Sequence, residues 1–252
     1  MTVKTPYQPG QPIWIDLGTP DVSATAAFYG SLFGWTASEG REEFGGYANF
    51  SLDGRQVAGV MPLMTPDQPP VWTCYVCTDD ADKTAALVAE AGGSTLAPPM
   101  AVHDLGRMAV FADPTGAVFG VWEPGRHIGA ELVDDEGTLT WIELSTRDQP
   151  AALAFYATVF GWEDRPSPGY TEFAQGSASV AGCMDMPEMV PAQVPSYWMP
   201  YFAASDPAAK AEQVASLGGT VLMPSMEFAG GTFSVVQDPN GATFGLLALR
   251  RE

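Results

Sequence analysis

Two hydrophobic periods alternate along the chain. Short apolar runs such as IWIDL (13–17) read as strands, and the stretch behind that run reads as a helix. There Phe28, Leu32 and Phe33 recur at helical spacing and supply an apolar stripe. Asp21 or Ser23 is placed to cap the helix start, and Gly34 to end it in a left-handed turn. Extended stretches around YANFSLD and RQVAGVMPL follow. A second strand, VWTCYVCT, then leads into a helix, ADKTAALVAEAGG, and closing strands around MAVFAD and AVFGVWEP. The order is strand, helix and three strands, twice.

The second half spells the same pattern again. PIWIDLGTPDVSATAAFYGSLFGW matches LTWIELSTRDQPAALAFYATVFGW, so that Trp14 recurs as Trp141, 127 positions on. VWTCYVCTDD matches YWMPYFAASD at an offset of 126, pairing Trp72 with Trp198. FADPTGAVFG matches VQDPNGATFG at 125, pairing Asp113 with Asp238. Three matches in one order, with a slow drift, indicate an internal duplication. The expected fold is α+β, with four βαβββ modules in two tandem domains, 8–125 and 137–250, each a curved mixed sheet. Residues 126–136 read as a linker. The duplication also explains why the helix end FYGSLFGW (28–35) returns as FYATVFGW (155–162): each half needs one such helix on its sheet, with aromatic side chains mostly in the core.

Composition narrows the classes of function. Of the 252 residues 46% are hydrophobic, enough for packed cores. No apolar run approaches the length of a membrane span, and MTVKTPYQPGQP lacks the apolar stretch of a signal peptide. A soluble cytoplasmic protein is expected, with no membrane partner. Thirty acidic against 11 basic residues give a net charge of −19, which repels phosphate backbones and argues against nucleic acid. Three cysteines build no disulfide framework. Cys74 and Cys77 lie three apart on one strand and face opposite ways, so they do not hold a metal together; Cys183 reads as small core filler.

The paired βαβββ units, the FYxxxFGW helix end and the D-P-x-G turn before a last strand resemble the vicinal oxygen chelate superfamily. That superfamily includes glyoxalase I, extradiol dioxygenases and the bleomycin and fosfomycin resistance proteins. The likeness covers nearly the whole chain. The connector RHIGAELVDDEGTLTW is similar to a tandem actinobacterial subgroup labelled glyoxalase-like or hydroxylase. The resemblance implies a metal held by a His or Gln on first strands and a Glu on last strands. Carried onto this sequence, the first-strand positions are Trp14, Trp72, Trp141 and Trp198. The last-strand positions are Gly120 and Gly245, with the others near Gly59 and Gly182. Indole offers only an N–H donor and glycine no side chain, so no metal and no other cofactor is expected. The two histidines, His103 in a loop and His127 in the connector, suggest no joint site.

Trp opposite Gly makes a flat slot suited to stacking against a planar ligand, with Met61, Met100, Met108, Met184, Met199 and Met223 as adaptable lining. The competing reading is that the indoles plug the sheets. Strand periodicity places Asp16 beside Trp14 and Glu143 beside Trp141, one carboxylate per cleft. Each is either a desolvated acid or base, or a rim group bonded to backbone. Tyr29 and Tyr156 are candidates for hydroxyl contacts, and His103 and Arg107 for ligand contacts in the first half only. The expected function is metal-free binding of a planar aromatic or polycyclic small molecule, for natural-product binding or self-resistance. The alternative is a metal-independent enzyme of secondary metabolism, such as a cyclase, isomerase or hydroxylase, using Asp16 or Glu143. A metal glyoxalase or dioxygenase is third. A monomer, or a weak homodimer, is expected, because a tandem chain already contains the paired units.

Overall fold

The computed structural model describes residues 6–188 and 190–250. The first half contains β1 (Pro12–Thr19), α1 (Val22–Phe33), β2 (Thr36–Ala37), β3 (Ala48–Leu52) and β4 (Arg55–Pro62). Its second module is β5 (Val71–Cys77), α2 (Ala81–Glu90), β6 (Ser94–Val102), β7 (Gly106–Ala112) and β8 (Val118–Pro124). The second half repeats this with β9 (Leu139–Thr146), α3 (Gln149–Phe160), β10 (Glu163–Ser167), β11 (Tyr170–Gln175) and β12 (Ala178–Asp185). It ends with β13 (Tyr197–Ala203), α4 (Pro207–Ser216), β14 (Thr220–Phe228), β15 (Gly231–Gln237) and β16 (Thr243–Leu249). The fold is α+β, with two eight-stranded mixed sheets ordered β2-β3-β4-β1-β5-β8-β7-β6 and β10-β11-β12-β9-β13-β16-β15-β14. In each, the first strands of the two modules run antiparallel at the centre, flanked by parallel partners: β1 between β4 and β5, β5 against β8.

Local chemistry sets the helices as expected. Asp21 and Asp148 accept from the N–H groups of Ala24 and Ala151, and Gly34 and Gly161 close α1 and α3 in the left-handed region. One face of each sheet packs on helices: Ile15, Leu17, Cys74, Val76, Phe119 and Val121 join the main core with their second-half counterparts. Cys77 belongs to a separate cluster on the other face, as the spacing from Cys74 requires.

The duplicated motifs meet across the two halves. Tyr29 and Tyr156 are fully buried. Tyr29 Oη accepts from Trp72 Nε1 at 3.3 Å and donates to Asp238 of the second half at 3.4 Å. In the mirror arrangement Tyr156 Oη accepts from Trp198 Nε1 at 2.7 Å and donates to Asp113 at 3.1 Å. Each aspartate uses its other oxygen to hold the D-P-x-G turn: Asp238 accepts from the N–H groups of Asn240 and Ala242, Asp113 from those of Thr115 and Ala117. The tryptophans after the helices cross over too, Trp35 Nε1 to the Gly137 carbonyl and Trp162 Nε1 to the Gly10 carbonyl. The sequence offers Tyr29 and Tyr156 as hydroxyl contacts for a ligand, but both hydroxyls are fully buried and already engaged by Trp and Asp partners. They are the buried polar pins of the joint between halves.

Candidate functional site

The face of each sheet turned away from the helices forms a trough, and both troughs bound one open space of about 3050 Å³. Alternation along β1 sends Ile15 and Leu17 into the core and Trp14, Asp16 and Gly18 into the trough; β9 does the same with Trp141, Glu143 and Ser145. All six methionines singled out from the sequence border this space.

On β5 the register differs from expectation. Asp16 pairs with Thr73 and Trp14 with Tyr75, so Thr73 and Tyr75 share the trough face and Trp72 points the other way. Trp198 on β13 does likewise, with Met199 paired to Glu143 and Tyr201 to Trp141. Trp72 and Trp198 are thus core residues bonded to Tyr29 and Tyr156, with only an edge reaching the trough. Arg107 also departs from expectation. Its neighbours Met108 and Val110 line the trough, while Arg107 pairs with Asp82 on α2 and with Glu123. His103 does border the first trough, in a left-handed turn with its ring edge on Phe44.

The glycines are not bare. Gly59, Gly120, Gly182 and Gly245 lie beneath Tyr47, Tyr75, Tyr170 and Tyr201, and a Cβ on any of them would fall inside the tyrosine ring or hydroxyl. A Trp–Tyr–carboxylate–Tyr set results on each floor. In the first half Trp14 Nε1 donates to Tyr47 Oη at 2.8 Å, and Tyr47 Oη donates to Asp16 at 3.4 Å; Tyr75 and Thr73 are its further partners. In the second half Trp141 Nε1 donates to Tyr170 Oη at 2.9 Å, and Tyr201 Oη donates to Glu143 Oε1 at 2.8 Å. Asp16 and Glu143 are accordingly not rim groups bonded to backbone. They sit on the floor, bonded to side-chain hydroxyls. Burial pushes Asp16 up to about 7 against the pull of Tyr75, Tyr47 and Thr73, and raises Glu143 against that of Tyr201 and Tyr170.

The four tyrosines were not singled out from the sequence, although Tyr75 and Tyr201 share the 126-residue offset that paired Trp72 with Trp198. His127 was also missed. The connector folds back onto the first half, where the Ala130 N–H bonds the Ile13 carbonyl and His127 sets its ring edge on Trp14 at 4.5 Å. Burial pulls His127 down to about 4, so it is neutral at pH 7. Around the second trough, Arg147 pins the segment after β12 by donating to the Pro191 and Val194 carbonyls.

This donor set does not fit a divalent ion. Asp16 and Glu143 are each surrounded by phenols held protonated by burial and by that carboxylate's charge, and Glu172, on the second floor beside Tyr170, is bonded to Ser179. Among the described residues no group of three or more His, Cys, Asp or Glu converges.

Paired βαβββ modules in two eight-stranded sheets define a class, two glyoxalase-type domains in tandem. Residues 11–121 match the Glyoxalase/Bleomycin resistance protein/Dioxygenase superfamily, and residues 141–247 match the Glyoxalase-like domain. The chain belongs to this superfamily. It is 40% identical to "Putative glyoxylase CFP32" of Mycobacterium tuberculosis over 98% of each chain. It is also 40% identical to "Anthracycline biosynthesis protein DnrV" of Streptomyces peucetius, over 98% of this chain and 96% of that one. Among solved structures, the Mn(II)-bound glyoxalase of Novosphingobium aromaticivorans shares the fold at TM-score 0.68 and 17% identity, with 95% of this chain and 82% of that one covered. The 2,3-dioxygenase LapB of Pseudomonas sp. KL28 does so at 0.66 and 13%, with 98% and 95% covered. No helix among the described residues is long and apolar enough to cross a membrane.

Proposed function

We propose that this chain binds a planar, polycyclic aromatic small molecule in its trough without a metal. The observation that carries the reading is the tyrosine over each of the four glycines, which replaces an ion-binding floor by aromatic faces and phenol–carboxylate hydrogen bonds. Aromatic and methionine lining suits flat conjugated rings. The relative named for anthracycline biosynthesis is consistent with a ligand of that shape. Titration with planar hydroxyquinones tests the reading. Saturable quenching of tryptophan fluorescence is expected, from a protein whose elemental analysis shows far less than about one transition metal ion per half.

A second reading is metal-independent catalysis. It is favoured by Asp16, whose carboxyl titrates near neutral pH among phenols and is suited to moving a proton at an enolisable ketone. Product analysis separates the two. Under the enzyme reading, Asp16→Asn or Glu143→Gln abolishes conversion and leaves binding; under the first, no conversion occurs at all.

A further inference from the structure

We propose that the second half alone holds the ligand, with Glu143 and Tyr201 meeting a hydroxyl or carbonyl edge of a neutral or cationic planar molecule, while in the first trough the connector covers the indole that a ligand would use. This rests on the binding reading above and assigns it to one half.

The two floors share a plan and differ in filling. In the first, Trp14 is 4% exposed. His127 covers one edge of it, and Trp122 stands 5.4 Å from the His127 ring and donates its Nε1 to the His127 carbonyl at 2.9 Å. Tyr7 anchors the same connector by donating to the Ala130 carbonyl at 2.8 Å. Trp14, Tyr75, Trp122 and the connector's Ala130 and Val133 thereby form one closed cluster. Held against His127 by an edge contact and 4% exposed, the Trp14 indole presents a ligand with little free surface.

Among the described residues, neither cover is repeated in the second half. The chain has one connector, and it packs on the first sheet. The position of Trp122, paired with Met108, is taken by Leu247, paired with Phe233. Trp141 is accordingly only half-buried, and the matching cluster is small: Met199, Tyr201 and Leu247, with Trp141, Tyr197 and Phe233 at its edge. The carboxylate there is Glu in place of Asp, one methylene longer. Glu143 is engaged by Tyr201 and Tyr170, and its carboxylate still has lone pairs for a ligand hydroxyl. The charges also differ. The cations Arg41 and Arg126 border the first trough, together with the carboxylates of Asp16, Glu39, Glu43 and Glu131. Among the described residues bordering the second, Glu143 and Glu172 are charged and none is cationic, so an anionic ligand is disfavoured.

The test is titration of the intact chain with 1,4-dihydroxyanthraquinone and with its anionic sulfonate. One equivalent of the neutral quinone is expected to bind, with the sulfonate weaker. Leu247→Trp, which supplies the missing plug, should weaken binding about tenfold or more, and Trp122→Leu should leave Kd within about twofold. Should Leu247→Trp disturb the circular dichroism spectrum, Trp141→Ala and Glu143→Gln carry the same expectation of weakened binding. Two equivalents bound, or unchanged affinity in the second-half variants with loss in Trp122→Leu, overturns the assignment and leaves the binding reading intact. No saturable binding by the unaltered chain overturns the binding reading itself.

Discussion

Asp16 and His127 line the same trough and respond to pH in opposite senses. Burial lifts Asp16 from 3.8 to about 7, so the folded chain keeps a proton that the unfolded chain releases. Its contribution to stability is present below pH 4 and lost as pH rises to about 7, a change on the order of 4 kcal/mol. Glu143 and Asp238, also raised, act in the same direction. His127 is lowered from 6.5 to about 4, with Glu131 opposing that shift, so the folded chain refuses a proton that the unfolded chain takes up. Its contribution is gained as pH rises from about 4 to about 6.5. Asp16→Asn removes the first effect and leaves the second. Relative to the unaltered chain, the urea midpoint of the variant is expected to climb between pH 4 and 7 and to lie higher at pH 8. Parallel pH profiles for the two proteins would contradict the buried placement of Asp16. This carboxylate was legible in the sequence, because IWIDL alternates clearly between a wholly aliphatic face and a mixed one. Its tyrosine partners were not, because Tyr47 lies just before β3 and Tyr75 on β5, and only the assembled sheet brings them beside it.

Strand register decided where sequence reasoning held. Element order, the helix caps and the D-P-x-G turns were readable, since each rests on local chemistry. The face of β5 was not. VWTCYVC is apolar on both faces, as a strand covered on both sides must be, and such a run has no alternation to read. Trp72 was therefore aligned with Trp14, although the residue that answers Trp14 across the sheet is Tyr75. The fate of Trp72 yields a prediction for the joint between elements. Tyr29→Phe leaves the Trp72 N–H without its acceptor and takes one bond from Asp238 in a fully buried setting. A loss of about 1–3 kcal/mol in urea unfolding is expected, and the same for Tyr156→Phe. The two sites share no partner, so the double variant should show the sum of the single losses.

At the scale of the whole molecule, the duplicated motifs make the joint quasi-symmetric, and the symmetry has a testable consequence. Tyr29 bonds Asp238, whose counterpart in the first half is Asp113; Trp35 bonds the Gly137 carbonyl, and Trp162 bonds that of Gly10. A fragment ending in the connector, residues 1–136, would expose Phe33 and Trp35, which in the intact chain pack on Phe202 of the second half. A second copy of the fragment offers the same kind of surface. Tyr29 of one copy can reach Asp113 of the other, and Trp35 the other's Gly10 carbonyl, twice over by two-fold symmetry. The fit is poorer, because Val76 stands where Phe202 does, and the lost aromatic volume leaves a gap, although Phe119 keeps the place of Phe244. The fragment is therefore expected to sediment as a folded dimer that dissociates on dilution, and Tyr29→Phe should shift it toward monomer. The intact chain, holding both surfaces already, should sediment as one copy and unfold in a single calorimetric transition. A fragment that stays folded and monomeric at every concentration would show that the aromatic joint is dispensable, and the single transition of the intact chain would then lose its explanation.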